Sequence, residues 1–130
     1  MYDLIIRNAR VVDGTGAPWY RADVAIEGGK IAAIGKLSGV ARETVDAADH
    51  YLAPGFIDIH SHSDDSILQC PSAESRILQG VTTEIAGNCG ASVGPAPEGK
   101  ENGWPSMAAF LEAVEKAEPS VNLGMLVGHG

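Results

Sequence analysis

Basic side chains are scarce in this sequence: nine Lys and Arg stand against seventeen Asp and Glu, for a formal charge of -8 at pH 7. A surface of that sign repels phosphate backbones and anionic headgroups, so no nucleic acid and no membrane surface is expected as a partner. Long apolar runs are missing too. No stretch reaches the roughly 18 apolar residues that a membrane span needs. The opening MYDLIIRNAR puts Asp3 and Arg7 inside what would have to be the apolar core of a signal peptide. Cysteine is nearly absent, with only Cys70 and Cys89 and no CxxC pair. That argues against a disulfide framework and leaves each thiol to be judged by its surroundings. Together these absences point to a soluble, cytoplasmic protein. What is there is ordinary for a globular chain: 45% of the 130 residues are hydrophobic, enough for a packed core.

The first third is strand-like. YDLIIRNARVVDG carries short β-branched runs, and ADVAIEGGKIAAIG places two more around Gly28-Gly29, a hairpin signal. ETVDAADHYLAPG adds two short strands around a turn, with His50 exposed in it, before Pro54-Gly55. Residues 1–54 therefore read as a small all-β unit. From Gly55 onward the rhythm becomes strand, helix, strand, helix, strand, the mark of an α/β unit with a parallel sheet over 55–130. GFIDIH is the first strand, PSAESRILQ a short helix stopped by Gly80, and VTTEIA the second strand. A long Gly/Pro loop follows, of the kind that is often functional. SMAAFLEAVEKAE has Ser106 as N-cap and Phe110, Leu111 and Val114 on one face, ended by Pro119; VNLGMLVG is the third strand.

The segment GFIDIHSHSD holds two histidines one residue apart at the polar end of an apolar run. In a strand, His60 and His62 would share a face, about 6.5–7 Å apart along the backbone, and two imidazoles can then converge on one ion. Phe56 and Asp58 share their parity, while Ile57 and Ile59 are expected on the opposite, helix-covered face. The pair also lies at the carboxyl end of its strand, where parallel α/β folds place their chemistry. Imidazole is the commonest metal ligand, so the spacing favours metal binding over a solvated strand end.

PGFIDIHSHSD resembles the first barrel strand of the amidohydrolase superfamily. GVTTEIAGNCGASVGPA with VNLGMLVGHG resembles, more narrowly, the N-acyl-D-amino-acid deacylases or D-aminoacylases. The resemblance spans nearly the whole chain, and GNCG is its specific part. It implies the first three strands of a TIM-like (β/α)8 barrel, preceded by part of a small β-sandwich. The fold would be incomplete, as the N-terminal portion of a longer protein. It also implies Zn2+, one or two ions, and a small-molecule N-acyl-D-amino acid substrate whose amide bond is hydrolysed. The general-base aspartate and two further histidines of the family are expected beyond residue 130, leaving no catalytic base within this chain and the chain inactive alone. A cyclic-amide hydrolase of the dihydroorotase or hydantoinase kind is the alternative within the superfamily, though without an expected GNCG. A non-catalytic metal-binding module is the alternative outside it.

Cys89 lies after the second strand between Gly87 and Gly90, which permit a backbone path bringing a thiolate toward the mouth of a barrel. In the D-aminoacylase branch this cysteine is a metal ligand, so His60, His62 and Cys89 form the expected donor set. Cys70 has no such setting and reads as a loop or packing residue. Asp58 is open between orienting a histidine and a hydrogen bond within the barrel floor. Asp64 is open between supporting the site and sitting exposed in a Ser/Asp-rich loop. His129, ending the third strand, is read as a structural hydrogen-bonding group ahead of a ligand.

Overall fold

Apolar residues recurring through YDLIIRNARV give one ten-residue strand, β1 (Tyr2–Val11), where short runs were expected. The computed structural model describes residues 1–90, 92–96 and 103–128. Strand β1 joins its two runs across an irregularity between Ile6 and Ala9, in its pairing with antiparallel β2 (Tyr20–Glu27). Asn8 sits there with φ 57°, and its N–H donates to Asp23 Oδ1 at 3.1 Å. The Gly28-Gly29 hairpin forms as the sequence suggests. Both glycines have positive φ, matching the twist of β2 and antiparallel β3 (Lys30–Gly35). β4 (Ala41–Asp46) and β5 (Tyr51–Leu52) both run parallel to β1, one beside each half of it. Ala9, Val11, Ala22 and Val24 are buried together under Ile6, Ala47 and Leu52. These strands make up the first of two compact units, Met1–Pro54; the second is Gly55–Gly130.

In the second unit β6 (Phe56–Asp58), β7 (Val81–Ala86) and β8 (Asn122–Met125) form a parallel sheet in the order β6-β7-β8. Parallel neighbours need a crossover, and here the crossovers carry α1 (Glu74–Ile77) and α2 (Met107–Ala117). Helix α1 is shorter than PSAESRILQ suggests. Ala73 is already left-handed before it, and Gly80 takes φ 84° after it. Ser106 caps α2, its Oγ accepting from Ala109 N–H at 3.1 Å. Phe110 and Val114, four residues apart, are buried with Ile67, Ala73 and Val121, while Leu123 and Met125 of β8 pack against them. Leu111 departs from the expected face. It lies about 100° around the helix from Phe110 and is exposed. Ile57 and Ile59, expected on a helix-covered face, are largely exposed in this chain, where β6 is an edge of the three-stranded sheet. No helix among the described residues is long and apolar enough to cross a membrane.

Candidate metal centre

Strand β6 stops at Asp58, two residues short of the first histidine, so His60 and His62 do not share a strand as expected. The cause is local. Asp58 Oδ1 accepts the His60 N–H at 3.0 Å, a turn that takes the donor out of any ladder. The chain nevertheless stays beside β7, since Ser61 N–H donates to Ile85 C=O at 2.9 Å. Alternation therefore survives across the pair. Ser61 is buried, and both imidazoles are exposed on the other side with ring centroids 5.8 Å apart.

Cys89 reaches the same place from the end of β7. Gly87 has φ 78°, and a Cβ there would collide with the Leu126 carbonyl oxygen, so the turn requires glycine. Cys89 itself is left-handed at φ 61°, a conformation that costs a non-glycine residue about 1–3 kcal/mol and persists only where surroundings over-determine it. His60 Nε2 and Cys89 Sγ are 3.2 Å apart, and the donor atoms of His60, His62 and Cys89 all lie within 4.8 Å of one another. This is the one such cluster among the described residues.

The donor set suits zinc. Bond lengths of about 2.0–2.1 Å to nitrogen and 2.3 Å to sulfur place tetrahedral N and S ligands roughly 3.5 Å from each other, close to the spacing of His60 and Cys89. Asp58 Oδ1 holds the His60 backbone, so the residue shapes the turn that carries the first imidazole. Asp64 lies in the 3-10 turn Ser63–Asp65 at 6% exposure, which corrects the solvated-loop alternative. His129 is outside the described residues, as is part of the Gly/Pro loop. His50 is exposed, with Nδ1 2.7 Å from Ala47 O. Cys70 is exposed and lines a cavity of about 340 Å3 together with His60, His62, Arg76 and Glu84.

Sequence reasoning missed the layer beneath the donors. Glu84 of β7 is fully buried; its Oε1 accepts from Arg76 Nε at 2.6 Å and from Ser61 Oγ at 3.1 Å. Asn88 Nδ2 donates to both Ser61 O and Ile85 O. A glutamate inside the otherwise uncharged VTTEIA was the available signal, because a parallel strand buries a charge only when it is paired.

Residues 43–127 match the profile of the amidohydrolase family. An N-acyl-D-glutamate deacylase of Alcaligenes xylosoxydans xylosoxydans is 41% identical over 98% of this chain, and the match covers 28% of that relative. The chain thus spans less than a third of the curated relative it resembles. The crystal structure of N-acyl-D-glutamate deacylase from Bordetella bronchiseptica, complexed with zinc and a phosphonate inhibitor, superposes with a TM-score of 0.90 at 38% identity. That match covers 98% of this chain and 30% of the other. A D-aminoacylase studied for its binuclear metal center gives 0.88 at 40%, covering 99% and 30%. An L-hydantoinase from Arthrobacter aurescens is more distant, at 0.70 and 28%, covering 96% and 27%. This chain belongs to the amidohydrolase family, with a mixed α/β fold like that of the D-aminoacylases.

Proposed function

We propose that, within a longer protein, these residues help build a zinc-dependent hydrolase that splits N-acyl-D-amino acids into a carboxylate and a free D-amino acid. In this reading β6, β7 and β8 are the first three strands of a (β/α)8 barrel, and residues 1–54 are part of a β-sandwich. The carrying observation is the convergence of His60, His62 and Cys89, from the ends of two neighbouring parallel strands, into one 4.8 Å cluster. Active sites of such barrels sit at that end of the strands.

His60 and His62 would give neutral imidazole nitrogens and Cys89 a thiolate. Zinc, when bound, supplies Lewis acidity toward the amide carbonyl and a water acidic enough to be deprotonated near neutral pH. The turn at Asp58 and the glycine-flanked turn at Cys89 hold the three donors at the strand ends, facing the same space. No carboxylate joins the cluster among the described residues, so the proton acceptor for water attack would come from another segment. The substrate class rests on the deacylase relatives, which match over 98% of this chain where a D-hydantoinase matches over 69%, and which superpose better than the L-hydantoinase.

The test uses the full-length protein with N-acetyl-D-amino acids, N-acetyl-L-amino acids and dihydropyrimidines, beside zinc analysis of the His60→Ala, His62→Ala double variant. D-selective release of amino acids and loss of zinc in the folded variant are expected. Turnover of dihydropyrimidines alone, or undiminished zinc, would overturn the reading.

A further inference from the structure

Ser61 stands between the two histidines, and its hydrogen-bonding groups reach in four directions. Its N–H donates to Ile85 O at 2.9 Å, and its carbonyl accepts from Asn88 Nδ2 at 3.1 Å. Its Oγ donates to Glu84 Oε1 at 3.1 Å and accepts from Ser63 N–H at 3.1 Å. Asn88 closes the arrangement. The same Nδ2 also donates to Ile85 O at 2.8 Å, so one carboxamide nitrogen spends two hydrogens joining the histidine segment to the end of β7. Its neighbour in sequence is Cys89. Both Ser61 and Asn88 are buried, whereas the three donors are exposed.

We propose that Asn88 is a positioning residue for the metal centre: its carboxamide, clamped between the carbonyls of Ser61 and Ile85, sets the distance between the imidazole and thiolate donors. The proposal rests on the metal reading above and goes beyond it, because Asn88 offers no ligand and acts through residues on either side. Without the clamp, the histidine segment keeps its Ser61 N–H bond to β7, but Cys89 loses the contact that ties its left-handed backbone to that segment. The donors would then be free to drift apart before metal arrives. Partners behind the ligands typically contribute 10- to 100-fold in metal affinity.

Asn122 provides a matched control. Its Nδ2 donates to Thr82 O at 3.0 Å, at the opposite end of β7 and away from the donors. The experiment compares the full-length parent, Asn88→Ala and Asn122→Ala by cobalt titration against a chelator and by the sulfur-to-cobalt charge-transfer band. Asn88→Ala should remain folded by circular dichroism, bind cobalt about 10- to 100-fold more weakly, and show a shifted or weakened band at saturation. Asn122→Ala should leave affinity and band unchanged. Should Asn88→Ala not fold, Asn88→Gln, which keeps the amide but displaces it by one methylene, carries the same expectation. Parental affinity and an unaltered band in a folded Asn88 variant overturn the proposal. No band in the parent itself overturns Cys89 ligation, and the positioning role falls with it.

Discussion

Replacing Arg76 by Met tests whether the layer below the donors is held by charge. Arg76 Nε is 2.6 Å from Glu84 Oε1, and the Glu84 side chain has no solvent exposure. Its second oxygen, Oε2, is buried without a hydrogen-bond partner among the described residues. Met keeps the aliphatic stem of Arg and removes the guanidinium, leaving a buried carboxylate whose remaining contact is Ser61 Oγ. Breaking a fully buried pair in this way costs about 3–5 kcal/mol. The Arg76 side chain is 40% exposed, so water already screens part of the interaction and about 2–3 kcal/mol is the better expectation. At 1.4 kcal/mol per decade, that is roughly a 30- to 150-fold rise in local opening. Amide hydrogen exchange in the full-length protein reads it directly, in peptides covering the 56–65 segment and β7. Adding Glu84→Gln to Arg76→Met removes the stranded charge and should recover part of the protection. Acceleration below about threefold in the single variant, or a double variant no better protected, would refute the assignment of Arg76 as the counter-charge that makes Glu84 burial tolerable.

Two further expectations concern the turn and the first unit. Gly87→Ala combines a left-handed backbone with a Cβ driven into Leu126 O, whereas Gly90→Ala, at φ 76° with open space around it, carries only the conformational cost of about 1–2 kcal/mol. Gly87→Ala should therefore lose clearly more stability, read as exchange protection at the β7–β8 end, and equal losses would contradict the close approach. Asp23 is pushed up in pKa by burial, but the N–H groups of Asn8 and Leu37 and the Arg7 guanidinium outweigh this and leave it below the ordinary aspartate value. Its contribution to stability is present above that ordinary value and lost as pH falls through the lowered one. Asp23→Asn should accordingly flatten the acid limb of first-unit unfolding below the ordinary aspartate range, and an unchanged limb would refute the linkage.

Local patterns make part of the fold legible in the sequence. The Gly28-Gly29 hairpin, the Ser106 cap and strand β7 all follow from signals contained within a few residues. The failures share a different cause. Strand β6 is shorter than its apolar run because a single side chain, Asp58, captures a backbone N–H. Leu111 and the Ile57–Ile59 pair are apolar yet exposed, and their environment depends on which strands and helices lie alongside. Periodicity shows that a face is apolar; it does not show what covers it.

At the candidate site the limit is sequence separation. His60 and Cys89 are 29 residues apart, Ser61 and Glu84 are 23 apart, and Asn88 and Ser61 are 27 apart. The two histidines stand out by spacing alone, whereas Cys89 is read as a third donor through the histidine pair upstream and the D-aminoacylase resemblance of GNCG, its glycine bracket showing only that the backbone can turn there. Their convergence needs the parallel pairing that sets β6 beside β7. The same alternation says something about the middle residue of the pair. If two imidazoles separated by one position project to the exposed side, the residue between them must face the protein. At that place it meets the backbone of the next strand and whatever that strand buries. A small hydroxyl residue satisfies this geometry: Ser61 is short enough to leave its own N–H and C=O free for Ile85 and Asn88, and its Oγ reaches Glu84. A bulky apolar residue there would leave the Glu84 carboxylate short of a donor in a buried position, where each missing hydrogen bond costs about 1–3 kcal/mol or more. The serine in HSH is thus as constrained by the fold as the histidines are by the chemistry proposed for them.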